Sequence, residues 1–359
     1  MSAVTPDGTG HDDVRDAVAV ILDRLVDRQR LRVAGHDEGS WRTNVRSQWR
    51  ELGYHLPFTT WGDTSAALEH VATVSFLAGH SVAPFATASE FAADLLYAAD
   101  GRAAPSAGAE LAEPRLAGRG RVLGPRVVGT VKGTETRITG RAPLVLAPAD
   151  TGTVLILVDL DDSGAVAPLP ITACEVRPLD TIDVSIEAAL LEFDVVVPTA
   201  SLLPCDADLE RRVLAVQAFA QLNELVGVGR QAFAETLGYI EARFAFGRSV
   251  ASFQAIKHRC ADLEKTLLEC EGCVTSFGRQ LREGDGLTWE QLFAVEHVKR
   301  SIPDLVQECI QLHGGIGMTW ECDQHLFLRR ATLLAATGVT ADDAYDLWCA
   351  APASSGGAA

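Results

Sequence analysis

Two short stretches carry the residue types best suited to hold a ligand. In the first, Arg243 stands three residues ahead of Phe246-Gly247, and Phe253-Gln254 and His258 follow. A planar guanidinium beside a glycine that admits close backbone approach suits a diphosphate, which takes paired hydrogen bonds. In the second, Gln311-Leu312-His313-Gly314-Gly315-Ile316-Gly317 closes a helical pattern on a run of glycines. Such a run permits positive φ and turns backbone N–H groups toward a ligand. Read alone, each has a plainer account: a solvated arginine at a helix end, and a glycine C-cap. The cysteines offer less. Of the eight, only Cys270 and Cys273 form a C-x-x-C, and no second pair sits at zinc spacing. Both fall inside a helical pattern, so buried reduced thiols are expected. The nine histidines are scattered singly, and no metal site is expected.

These stretches need elements to position them, and the 359 residues divide into three regimes. Residues 11–100 repeat apolar residues at three- and four-residue spacing, as in VRDAVAVILDRLVDRQ, with a break expected near Pro84. Residues 101–120, rich in Gly, Ala and Pro, read as a linker. Residues 121–205 hold the short runs VVGTVKG, TRITG, TVLILVDL, IDVSI and FDVVV between turn residues, the pattern of a small β-domain. Over 206–350 the helical pattern returns. A long helix from Asp206 is apolar on more than one face, which implies burial in a bundle or at an oligomer interface. A second helix runs from about Phe253 to Leu281, and a third from about Thr288 to Leu312, with a break or kink expected at Pro303. The tail, 351–359, is expected to be disordered. The fold class is therefore α+β multidomain: an N-terminal helical domain, a central small β-domain and a C-terminal four-helix bundle.

Composition bounds the function. Hydrophobic residues at 47% with charged residues at 22% describe an ordered globular protein. With 31 Lys+Arg against 48 Asp+Glu the formal charge is −17, which leaves no basic stripe for nucleic acid or an anionic membrane surface. The first residues, MSAVTPDGTGHDDVRD, lack the regions of a signal peptide, and no apolar run approaches the ~20 residues of a membrane span. A soluble, cytoplasmic chain is expected.

Tyr239, Arg243, Phe246-Gly247, Phe253-Gln254, His258 and Ala261-Asp262, followed by Gln311 to Gly317, Glu321 and Leu328-Arg329-Arg330, resemble the C-terminal bundle of acyl-CoA dehydrogenases. These are flavoenzymes that oxidise the Cα–Cβ bond of acyl-CoA thioesters. The order helical, β, helical is also the family's. The likeness is strong over 206–335, weaker over 40–100 and poor over 100–200. It implies an FAD lying across a subunit interface. Arg243, Phe246 and Gln254 would face a partner's FAD diphosphate, and Gln311, Gly314 and Gly315 would meet its ADP portion.

The resemblance also implies a glutamate base at one of two places, and neither holds one. The usual position corresponds to Gly338, in Ala336-Thr337-Gly338-Val339-Thr340. The other, on the long helix, corresponds to Gln217, an amide that is no base at neutral pH. The nearest carboxylates on that helix are Glu210 and Glu224, the latter on Gln217's face. The family's flavin-lining strand corresponds to APLVLAPAD after Thr139-Gly140-Arg141, an apolar run, and its Thr-Glu-Pro segment has no counterpart in 101–120. Some bacterial members known for steroid side-chain thioesters are heterotetramers of two subunit types (α2β2), of which only one carries the base. The expectation is the other type: no catalytic residue of its own, FAD shared with a homologous subunit, acyl-CoA as the substrate of the complex, and no stable monomer. The alternatives are a catalytic chain with Glu224 as an unusual base, and a flavin-free scaffold.

Overall fold

The computed structural model describes residues 10–33, 39–105, 109–112, 127–146, 152–160, 163–284 and 288–339. Six helices come first: α1 Gly10–Leu25, α2 Arg28–Val33, α3 Gly39–Glu51, α4 Pro57–Trp61, α5 Thr64–Ser81 and α6 Thr87–Asp100. Asp63 caps α5 by accepting from the Ser65 N–H at 2.8 Å, and α5 stops where Val82 takes φ 56°, two residues before Pro84.

The β-domain follows. Its strands are β1 Ala109–Leu111, β2 Val127–Lys132, β3 Glu135–Leu146, β4 Thr153–Leu160, β5 Ser163–Pro170, β6 Glu175–Leu179, β7 Ala188–Pro198 and β8 Leu203–Pro204. Among the described residues they form one sheet in the order β6-β7-β3-β2-β4-β5-β8, with β1 joining β4 in parallel. Ile138, Val154, Leu191 and Phe193 pack in its own core. Two expectations are corrected here. Part of the stretch read as a linker is β1, pinned to β4 from Ala109 to Leu111; residues 106–108 and 113–120 lie outside the described residues. IDVSI, residues 182–186, is no strand but part of the connection from β6 to β7. There Asp183 Oδ1 accepts from the Ser185 N–H at 2.9 Å and from its Oγ at 2.6 Å, a local turn that competes with strand pairing. The alternating Ile and Val around it hide that turn.

The chain then closes with α7 Ala207–Ala242, a two-residue hairpin of β9 Phe244–Ala245 and β10 Arg248–Ser249, α8 Gln254–Glu283, α9 Trp289–His313 and α10 Gln324–Ala336. Asp206 caps α7 by accepting from the Leu209 N–H at 2.8 Å. Helix α7 packs against α5, α6, α8, α9 and α10, and is buried without interruption from Val213 to Gly229. Its apolar residues on several faces are thus used within one chain. Helix α9 opens on a capping box between Thr288 and Gln291 and continues through Pro303 as one helix, so of the break or kink expected there the break does not occur. Ile302, Leu305 and Val306 around that proline are buried in the bundle, so tertiary packing holds the helix across the lost hydrogen bond. The helical pattern expected beyond Val339 and the tail 351–359 lie outside the described residues. No helix among the described residues is long and apolar enough to cross a membrane.

The sheet meets the helices through Ala86, Leu144, Leu146, Ile186, Ala188 and Leu333. Two features of this junction matter below: the α5–α7 crossing and the loop after α10.

Candidate functional site

The two ligand-suited stretches, 68 residues apart by their numbers 243 and 311, converge in space. Arg243 ends α7, its N–H donating to Tyr239 O at 3.0 Å. Its guanidinium reaches the Tyr239 hydroxyl and, through Nη1, the His313 carbonyl at 3.3 Å. The Tyr239 and His313 rings stack at 4.4 Å, and His313 Nδ1 donates to Cys309 O at 2.9 Å, which fixes the ring. The end of α9 and the end of α7 are thereby held together, with Arg243 between them.

Around this joint the predicted residues face outward. The Phe246-Gly247 turn between β9 and β10 has positive φ at both positions, 52° and 75°, the twist that a two-residue hairpin demands. A phenylalanine in that region is strained, and here its ring is 95% exposed. Gln254, the first residue of α8, pairs its amide with His258 Nε2 at 2.9 Å on the surface. Gln311, Gly314 and Gly315 are exposed, and side-chain space above both glycines is open. Phe244 at 72% and Met318 at 77% exposure add apolar surface from the same two segments. The six predicted residues thus sit at two outward-facing turns and the helix ends beside them, Gln254 at the start of α8 and Gln311 in the last turn of α9, not in a closed pocket.

The places where a base is implied are filled differently. Gly338 has φ 71°, and a Cβ there would overlap the amide of Gln221. That amide also accepts from Lys299 Nζ at 3.4 Å. Lys299, buried, further donates to the carbonyls of Thr337 and Val339, clamping the loop on either side of Gly338. Gln217 is fully buried on α7.

Glu224 is a carboxylate in the right neighbourhood, but it is held by other groups. Its Oε1 accepts from Arg330 Nη1 at 2.6 Å and its Oε2 from Thr87 Oγ1 at 2.9 Å. Arg330 is itself buried, and also donates to Asp183, to Ser185 Oγ at 2.6 Å and to Ala83 O at 2.8 Å. Burial raises the Glu224 carboxyl above the ordinary carboxylate range, against the pull of the Arg330 guanidinium and the Thr87 hydroxyl. The open space beside it, lined by Phe85, Ser89, Leu146, Gln221 and Leu333, is only about 10 Å³. Asp183, Ser185 and Thr87 are partners that sequence reading missed. The available signal was the presence of Glu224 and Arg330 inside otherwise apolar helices, which calls for a buried pair.

On the corresponding strand the polar side chains Thr139 and Arg141 precede an apolar run. Ala142, Leu144 and Val145 of β3 are buried apolar residues. Residues 147–150 of APLVLAPAD lie outside the described residues. Cys270 is buried and unbridged, with burial pushing its thiol up to about 12, and Cys273 moves the same way, as inert packed thiols do. Among the described residues no group of His, Cys, Asp and Glu is placed to hold a metal ion.

Three helical and β layers in this order define an acyl-CoA dehydrogenase fold. A solved "Tcur3481-Tcur3483 steroid ACAD G363A variant" superposes with a TM-score of 0.80 at 19% identity, covering 95% of this chain and 98% of that one. Glutaryl-CoA dehydrogenase from Mycobacterium smegmatis gives a TM-score of 0.80 at 14% identity, covering 95% and 94%. Residues 209–338, the C-terminal bundle, match the family described as "Acyl-CoA dehydrogenase, C-terminal domain". Acyl-CoA dehydrogenase FadE34 of Mycobacterium tuberculosis (strain ATCC 25618 / H37Rv) is 34% identical over 212 residues, which is 56% of this chain and 27% of that protein. Acyl-CoA dehydrogenase IpdE2 of the same strain is 32% identical over 160 residues, 45% of this chain and 46% of that protein. The matches span between about a quarter and a half of these two relatives.

Proposed function

We propose that this chain is a non-catalytic subunit of a flavin-dependent acyl-CoA dehydrogenase complex, a heterotetramer with a homologous, base-carrying subunit. The complex oxidises the Cα–Cβ bond of an acyl-CoA thioester, with a steroid side chain as the substrate class. One observation carries the reading: both implied base positions are occupied by non-bases, Gln217 and a Gly338 packed onto Gln221, while Arg243 and the Gly314-Gly315 turn converge on the surface. Proton abstraction needs a carboxylate within hydrogen-bond reach of the thioester α-carbon, and neither implied position among the described residues carries one.

The outward turns fit the ADP end of an FAD brought by the partner. Arg243 offers a guanidinium to the diphosphate, Gln311 an amide, and Gly314 and Gly315 open backbone. Phe246 and Gln254 lie on the adjoining turn and helix start. The apolar run of the chain's own β3 is a poor match for a flavin ring, because Ala142, Leu144 and Val145 bring no side-chain donor to it. FAD, when bound in the partner, accepts the β-hydride. This chain's share is to bind and orient. The named pair in the solved steroid ACAD, and the glutaryl-CoA dehydrogenase solved in complex with FADH2, support partner and cofactor by analogy. Glu224 as the base is disfavoured by its two committed oxygens and the closed space beside it.

The test is purification of this chain alone and co-expressed with a homologous dehydrogenase subunit. Alone it is expected to be colourless and without turnover; together the pair is yellow and active. A yellow, active preparation of this chain alone would sink the proposal.

A further inference from the structure

A cleft of about 480 Å³ lies between α1, α5, α7 and α8, within the ~300–1,000 Å³ range of small-molecule sites. It is separate from the small space beside Glu224. Between the two, α5 and α7 cross in backbone contact, Gly79 against the Glu224 carbonyl and Gly227 against the Phe76 carbonyl. The floor of the cleft is apolar: Phe76, Leu77, Phe219, Val226 and Val274. Phe219 is backed by Phe277, the rings stacking at 5.8 Å.

The rim is cationic. Arg15 of α1 and Arg282 of α8 both line the cleft, and neither makes an ion pair or hydrogen bond among the described residues. The acid on the lining, Glu271, is already met by Arg230 at 2.6 Å. Asn223 spends its amide N–H on Phe219 O at 2.8 Å. Two guanidinium groups with no ion pair among the described residues thus stand over an apolar floor, in a chain of formal charge −17. A planar guanidinium recognises a carboxylate by paired hydrogen bonds. We propose that this cleft binds an amphipathic monoanion, an apolar body seated on Phe76, Phe219 and Val274 with its carboxylate held by Arg15 and Arg282.

Decanoate, decanol and decyltrimethylammonium share a tail and differ in the head, so calorimetric titration of each into the full chain, alone or in its complex, reads the site. Decanoate is expected to bind with saturation and at least about tenfold more tightly than either of the others, the scale of one charge-assisted contact. Arg15→Ala/Arg282→Ala is expected to abolish that preference. Thr275→Trp, on the exposed side of the lining, is expected to weaken all tails by filling the cleft. Both arginines are exposed, so the fold is expected to survive; if the double variant fails to fold, Arg15→Gln and Arg282→Gln singly carry the comparison. Equal affinity for the three heads, no binding of decanoate, or decanoate binding unchanged by loss of the arginines would overturn the proposal.

Discussion

At the residue scale, Arg243 and Glu224 are expected to answer in opposite ways. Arg243 is exposed and lightly held by Tyr239 and His313, so Arg243→Ala leaves the bundle intact. In the complex, the lost charge-assisted contact is expected to cost about 1.5–3 kcal/mol of flavin affinity, roughly 10- to 150-fold, read as flavin content under limiting FAD. Glu224→Gln acts on the fold. It leaves Arg330 beside Asp183 with one anionic partner fewer, and removing one member of such a buried set costs about 3–5 kcal/mol. Denaturant titration reads that loss. Turnover per bound flavin in the complex is expected to stay within a few-fold, whereas deleting a true general base lowers it about 10²–10⁴-fold. Arg243 and the Gly314 turn stood out in the sequence because their types and order are unusual together, and the structure brings them side by side. The Asp183–Arg330 contact was not, because 147 residues separate the partners and no local pattern links them.

At the element scale, the crossing of α5 and α7 decides how the helical domain meets the bundle. Gly227 faces the Phe76 carbonyl, where a Cβ would overlap backbone that has no rotamer to change. Gly227→Ala is therefore expected to destabilise by at least about 1–3 kcal/mol, the scale of overpacking a tight core, seen as a lower denaturant midpoint. A helix former replacing a helical glycine would otherwise gain up to about 1 kcal/mol, so the sign itself reports the contact. Helices were legible from their periodicity, α7 and α8 almost to the residue. Pro303 misled because local propensity there is overruled by Ile302, Leu305 and Val306 packing on both sides. Strand β5, with Pro168 and Pro170, escaped for the converse reason: its pairing with β4 is set by the partner strand and not by its own residue types.

At the scale of the whole molecule, acid is expected to loosen the fold before carboxylates titrate. His55, His80 and His325 all have their pKa lowered, in each case first by burial, with Arg50, Arg28 and Arg329 respectively adding to it and acids opposing. An unfolded histidine at its ordinary 6.5 then binds protons that the folded one refuses. Their contribution is fully present above pH 6.5 and is lost as pH falls through it toward the folded values. The urea midpoint is expected to drop between pH 7.5 and 5.5, and His55→Gln to flatten part of that slope. Asp94, raised by burial, works the other way at lower pH.

The surface also bears on the proposal that this chain works with a partner subunit. Phe244, Phe246 and Met318 stand exposed on the same two segments that carry Arg243 and Gly314, an apolar rim around an exposed guanidinium and open glycine backbone. The decisive measurement is therefore flavin content and acyl-CoA turnover for this chain alone, for its complex with a homologous dehydrogenase subunit, and for the complex carrying Arg243→Ala. The expected result is no flavin and no turnover alone, both in the complex, and flavin released by the substitution. Flavin bound by this chain alone, with thioester oxidation to match, would contradict the account.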